Sequence, residues 1–256
     1  MDGVASVAEA RPVSAIVVGA SSGLGRALAT ELARGGRDLL LVASDERDLA
    51  AIAADLSIRH GVAVRTLALD LSREPDPGAR IRARMDTLPS AADALLLPVG
   101  HSRGDDDFSL DAAGTGELLA INLHAPLQIV QTLRTYLAAR RGVIVLFGSI
   151  AAVRGRGRNV VYAAAKRALV SLYESLRQHH PRRELRIQLY QLGFLATNLT
   201  HGMKLPTAAA DPAAVARAVV ARLDGGSFLR YVPAKFALIA WIVRSLPWFV
   251  YRRMRS

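Results

Sequence analysis

Tyr162-Ala-Ala-Ala-Lys166 sets a phenol and an ammonium one turn apart on the same face of a helix. A free phenol titrates near 10, too high for a base at neutral pH, and a cation held beside it typically lowers that value by about one to three units. Ser149 stands thirteen residues before Tyr162, just past the apolar run Val143–Phe147. A hydroxyl at the C-terminal end of a strand faces the ligand crevice of an open α/β sheet. Together these groups can exchange a proton with an alcohol or carbonyl oxygen. Tyr-x-x-x-Lys alone recurs on many helices without chemical meaning, so the elements around it decide.

Those elements alternate. Ala15–Gly19, Leu39–Ala43, Thr66–Leu69, Ala94–Val99, Val143–Phe147 and Ile187–Gln191 read as buried strands. Between them Gly25–Arg34, Arg47–His60, Ala79–Leu88, Gly116–Arg140 and Tyr162–His179 carry helical periodicity. Near-continuous apolar strands separated by helices predict α/β architecture, a doubly wound, Rossmann-type parallel sheet covered on both faces. No repeat or flexible linker divides it, which gives one domain over residues 1–232 followed by an apolar and basic extension over 233–256.

At the other end of the predicted crevice, Gly19-Ala20-Ser21-Ser22-Gly23-Leu24-Gly25 follows the first strand and opens the first helix. Glycines let the backbone turn tightly against a pyrophosphate, and the helix N-terminus adds free N–H groups and positive potential. The second strand ends Ala43-Ser44-Asp45. An acid at that tip selects a ribose 2′-OH, whereas a nearby arginine accommodates a 2′-phosphate. Ala43 and Ser44 leave room for phosphate; Asp45 would repel it unless turned away, and Arg47 is the only close cation. The balance favours NADP(H) over NAD(H). Asp70 and Leu71 follow the third strand, where they would lie near an adenine, although Asp70 could equally cap the next turn.

The chain has no cysteine, which excludes disulfides, Cys-ligated zinc and thiolate catalysis. No secretory signal opens it, so a cytoplasmic location is expected. The net charge of +11 is almost all arginine, since Lys166, Lys204 and Lys235 are the only lysines. Such an excess points to an anionic partner, a phosphorylated substrate or anionic lipid, or simply to an arginine-rich surface. Scattered arginines without a recognition motif argue against nucleic acid. Phe236–Tyr251 is almost wholly apolar and is followed by Arg252, Arg253 and Arg255. It is too short to span a bilayer, which takes about 20 residues. It could lie in a membrane interface, cover a pocket or meet another subunit.

The whole arrangement resembles the short-chain dehydrogenase/reductase family over residues 12–200: Gly19/Gly23/Gly25, Asp70, Asn122 in Ile-Asn-Leu, Ser149, Tyr162/Lys166 and Gly193…Thr197 follow the family's order and spacing. The resemblance implies an NAD(P)(H)-dependent oxidoreductase interconverting a ketone and a secondary alcohol, with no metal. Tyr162 would be the acid/base and Ser149 would polarise the reacting oxygen. Lys166 would lower the tyrosine pKa and bind the nicotinamide ribose, and Asn122 would hold a water relaying protons from Lys166. It also implies a homo-oligomer, dimer or tetramer, joined through Gly116–Arg140 and Tyr162–His179. Four departures stand out: Val18 for the usual threonine, Leu97-Pro98-Val99-Gly100 for Asn-Asn-Ala-Gly, Leu192 for proline, and no arginine at Ser44.

Several stretches are similar to reductases of decaprenyl-phosphoryl 2-keto-pentose: Ala151–Tyr162, Pro98-Val99-Gly100-His101-Ser102, Val232–Phe236 and Leu246–Arg252. That implies a lipid-linked keto-sugar reduced at the inner face of a membrane. Arg154, Arg156 and Arg158 beside the catalytic segment could then meet a phosphate. The alternatives are a reductase of another lipophilic ketone (acyl, polyketide or steroid-like) or a nucleotide-binding protein without turnover. Among the remaining polar residues, His101, Ser102 and Arg103 could line the crevice. Asp105, Asp106 and Asp107 read as an exposed turn rather than a metal cluster. His124 and His201 read as packing or surface residues, and His179 and His180 as a helix end.

Overall fold

The structure, a computed structural model, describes residues 14–21, 23–181, 183–196 and 209–254. Seven strands form one parallel sheet: β1 (Ser14–Val18), β2 (Asp38–Ala43), β3 (Val64–Ala68), β4 (Ala92–Leu97), β5 (Val143–Ser149), β6 (Arg186–Leu192) and β7 (Phe228–Val232). Their order is β3-β2-β1-β4-β5-β6-β7. β1 pairs with both β2 and β4, so the chain reverses its direction of winding there. A crevice opens beyond the strand C-termini at such a switch point.

Every residue of β1 and β2 is buried, and side chains alternate between two cores, as the period of a strand requires. Ala15 and Val17 face α1 (Gly23–Arg34), α2 (Glu46–His60) and α7 (Pro212–Val220). Ile16 and Val18 face α3 (Pro77–Met85), α5 (Ala125–Ala138) and α6 (Val160–His179). Each valine or isoleucine among them, taken wholly from water, contributes about 1.5–3 kcal/mol toward offsetting chain entropy. The rigid base this makes leaves the loops at the strand tips free to carry chemistry.

The expected helix over 116–140 is three pieces: α4 (Ala112–Leu119), a π-helical turn (Ala120–His124) and α5. Past β7, α8 (Lys235–Ser245) and α9 (Trp248–Tyr251) fold back onto the sheet's C-terminal edge. Phe236, at the root of α8, is 4% exposed. A Cβ at Gly193 would sit only 2.1 Å from its ring, so glycine alone lets the two meet. Among the described residues no helix is long and apolar enough to cross a membrane.

Candidate active site

The glycine turn is built by contacts that only glycine permits. Gly19 has φ +92, and its N–H and that of Ala20 both reach the Val42 carbonyl, at 2.7 and 3.1 Å. A Cβ on Gly25 would lie 1.9 Å from the Gly19 carbonyl oxygen. The turn is thus pressed against the start of α1, whose first turn carries no acid. That is the cradle a dinucleotide pyrophosphate requires. Gly19, Ser21, Gly23 and Leu24 line one end of a cleft of about 1240 Å³, with Gly25 packed beneath. Ser22 and Thr197 lie outside the described residues.

At the second strand tip Ala43 is buried, Ser44 is exposed, and both line the cleft. The Asp45 carboxylate accepts the Asp48 N–H at 2.9 Å and caps α2, so it is turned onto its own helix. Arg47 is not the sole cation at this rim. Arg26 donates twice to the Ser21 carbonyl, at 3.1 and 2.6 Å, and comes within 3.9 Å of Asp48. Asp70 and Leu71 line the cleft as well. Asp70 also turns the chain: hydrogen bonds from the Ser72 hydroxyl (2.6 Å) and N–H (2.9 Å), with Arg73 nearby, hold its carboxyl below the ordinary range.

At the chemical end Ser149, Tyr162, Lys166, Gly100 and Gly193 share the same cleft. Lys166 is 3% exposed, and its Nζ donates to the Val99 carbonyl at 2.9 Å and that of Phe147 at 3.3 Å. Desolvation lowers its pKa to about 8. Nζ stands 5.9 Å from the Tyr162 ring centroid. The expected depression of the tyrosine pKa is not what this environment gives. Burial pushes the phenol above 10, against a hydrogen bond with Ser149 and the Arg156 charge, which draw it down. The ammonium is held by the Val99 and Phe147 carbonyls, and burial sets the direction of the phenol's shift. A protonated phenol is a donor, the form that ketone reduction uses. Ser149 Oγ accepts the Ala151 N–H at 3.2 Å, which leaves its own proton to give.

Asn122 lies in the π-helical turn, wholly buried behind Gly100. Its Oδ1 accepts the His101 N–H at 3.1 Å, while Nδ2 donates to the carbonyls of His101 (2.7 Å) and Leu118 (2.9 Å). The slipped helix turn aims this side chain at the crevice loop. A Cβ on Gly100 would stand 3.3 Å from Lys166 Nζ and 3.5 Å from Asn122 Oδ1.

Three side chains depart from their sequence readings. Asp106 is no exposed turn residue: it is 2% exposed and caps α6. Arg154 does not face the cleft. It donates to the carbonyls of Val243 (2.9 Å) and Leu246 (2.6 Å), and lies over the rings of Tyr251 and Trp248. The Tyr251 hydroxyl returns a hydrogen bond to the Gly155 carbonyl at 2.7 Å. Arg156 and Arg158 remain on the cleft wall, and Nε of Arg156 is buried without a partner. Arg103 is tied to Asp105 and Glu117, at 2.9 and 3.2 Å. Sequence gave no sign of the Asp106 cap or the Arg154 clamp, because both join groups more than fifty residues apart.

The sequence profile of the short chain dehydrogenase family matches residues 14–206, and the chain belongs to that family of oxidoreductases. Two uncharacterized oxidoreductases of Mycobacterium tuberculosis are each 29% identical. One aligns over 218 residues (82% of this chain, 83% of its own) and the other over 247 (93% and 96%). A very-long-chain 3-oxoacyl-CoA reductase of Aspergillus fumigatus is 27% identical over 222 residues, 83% of this chain and 63% of the relative. The fold matches a short-chain dehydrogenase from Sphingobium yanoikuyae in complex with NADPH, with TM-score 0.80, 23% identity, and 95% and 97% of the two chains covered.

Proposed function

We propose that this chain is an NAD(P)(H)-dependent reductase of a lipophilic ketone, favouring NADP(H), and that the ketone is a prenyl-phosphoryl keto-sugar met at the inner face of a membrane. One observation carries the reading of the substrate. The cleft that holds Tyr162 is walled on its outer side by Ile239 and Met254 of the tail and by Arg156 and Arg158. Leu238, Trp241, Trp248 and Phe249 of the same tail are 60–66% exposed. An apolar surface of that kind, continuous with a cleft and flanked by Arg252 and Arg253, suits a substrate with an apolar chain and an anionic group.

A nicotinamide held in this cleft would supply the hydride. Tyr162 gives its proton to the alkoxide oxygen, Ser149 donates a hydrogen bond to that oxygen, and Lys166 holds positive charge beneath both. Arg156, with its unpartnered Nε, meets the phosphate. Lys166 makes good the proton that Tyr162 has given, and Asn122, which fixes the loop at His101, completes the path by which Lys166 is reprotonated. Ala43, Ser44 and the averted Asp45 accommodate a 2′-phosphate. A second reading, reduction of a 3-oxoacyl chain, is favoured by the Aspergillus relative's name and uses the same machinery without a role for Arg156. A subunit contact is proposed across α5 and α6, where Val130, Arg134, Leu172 and His179 border a shallow groove.

The deciding experiment follows NADPH oxidation with a prenyl-phosphoryl keto-sugar, a 3-oxoacyl thioester and a short soluble ketone, and sediments the protein with anionic vesicles. Preference for the sugar, and vesicle binding released by salt, are expected. No ketone-dependent oxidation would leave a nucleotide-binding protein without turnover. Indifference to anionic vesicles at low salt would sink the membrane site.

A further inference from the structure

α6 begins without a local cap. Asn159 precedes it with φ +53 and makes no side-chain hydrogen bond to the helix, and Gly155 and Gly157 lie just upstream. A helix start leaves its first N–H groups unpaired, and buried ones must find partners elsewhere. The first intrahelical bond runs from the Ala163 N–H to the Asn159 carbonyl, at 2.8 Å. The three N–H groups ahead of it all go to one residue. Val160 donates to the Asp106 carbonyl (3.2 Å), Val161 to Asp106 Oδ1 (2.9 Å) and Tyr162 to Asp106 Oδ2 (2.9 Å).

We infer that Asp106 is a positioning residue for catalysis, clamping the backbone of Tyr162 from the loop that follows β4 and so setting where the phenol stands against Ser149. Both carboxylate oxygens and the main-chain oxygen are used, and the side chain is closed off from water. Charge-assisted bonds of this kind also complement the positive helix end. Tyr162 is the third residue of α6, inside the turn that would fray without the clamp. Misplacing a catalytic group by about 1 Å costs on the order of 100-fold in rate. Asparagine cannot replace the acid, because its amide nitrogen would face one of the two N–H groups.

The inference rests on Tyr162 being the proton donor, so Tyr162→Phe is run beside each variant. Asp106→Asn should lower kcat for NADPH-driven ketone reduction by roughly 30–100-fold, with KM and NADPH Kd within about threefold. Asp106→Glu keeps the charge but displaces the oxygens by a methylene, and should lose less. Asp76→Ala removes an ordinary cap on α3, where Asp76 accepts the Ala79 N–H, and should lower Tm without touching kcat. Tyrosine ring-labelled NMR supplies a readout without substrate. The signal that vanishes in Tyr162→Phe should shift in both Asp106 variants and stay fixed in Asp76→Ala. Wild-type kcat and an unmoved Tyr162 signal in Asp106→Asn overturn the inference while the proton-donor reading stands. An active Tyr162→Phe overturns that reading instead. If Asp106→Asn does not fold, Asp106→Glu decides on the same two readouts.

Discussion

The Val99 backbone touches both ends of the site: its carbonyl accepts Lys166 Nζ at 2.9 Å, and its Cα stands 3.0 Å from where a Cβ on Gly19 would be. One residue therefore sets the glycine turn and the buried ammonium together. It does so with main-chain atoms and their spacing. That explains how the stretch Leu97-Pro98-Val99 can depart from the family's usual sequence while the lysine keeps its place.

Gly19→Ala should damage both functions at once. The residue would need a left-handed backbone at φ +92 and would press its methyl on Val99. Strain of this kind costs about 1–3 kcal/mol. Dinucleotide affinity should fall at least tenfold, and kcat should fall at saturating cofactor. Fluorescence titration and steady-state kinetics check this; loss of affinity with wild-type kcat would break the link through Val99.

The rate of ketone reduction should depend on the charge of Lys166. Burial lowers its pKa to about 8, so the ammonium is charged below that pH and neutral above it. The Tyr162 phenol, raised by burial, keeps its proton throughout the neutral range. Reduction should therefore be flat on the acid side of pH 8 and decline beyond it. A rate still level at pH 9.5 would show that bound cofactor restores the charge or that the charge is not needed.

Cofactor choice should turn on Ala43. Ala43→Asp places a carboxylate at the strand tip, where it would accept a ribose 2′-OH and repel a 2′-phosphate. The ratio of kcat/KM for NADPH over NADH should fall by at least tenfold. An unchanged ratio would put the ribose elsewhere, and Arg26 would then be the next residue to vary.

Arg154→Ala should undock the tail. It removes two hydrogen bonds to carbonyls and two ring contacts, a loss of about 1.5–3 kcal/mol for a charged donor of this kind. Proteolysis should cut between α8 and the sheet faster, and turnover of a long-chain ketone should fall more than that of a short one. Equal loss on both would make the clamp a support for the catalytic loop alone.

Six of the seven strands and the cluster at their tips were legible from the sequence, because buried parallel strands leave apolar runs and the Gly19, Ser149, Tyr162 and Lys166 spacings are local. β7 was not, since Phe228–Val232 is only partly buried and carries Arg230 at its centre. α7 was missed too: Pro212–Val220 is short and alanine-rich, with an ordinary aspartate cap. The π-helical turn hid inside one long apolar period, where a slip of one hydrogen bond leaves no mark on residue type. The phenol's direction of shift was misread for a different reason. Sequence supplies which charges are near, but burial, which prevailed, belongs to the folded state.

The Arg154 clamp also has a consequence in time. Its carbonyl partners lie 89 and 92 residues further along the chain. At about 5–20 residues per second, synthesis takes roughly 5–20 s to reach them after Arg154 is made. Through that interval the sheet around β1 and β4 can already be assembled and Asp106 can already hold the start of α6, while Arg154 lacks its partners in the tail. A nascent chain would thus build the nucleotide half of the cleft before its outer wall, and the tail that carries Ile239 and Met254 would close last, on a site already assembled.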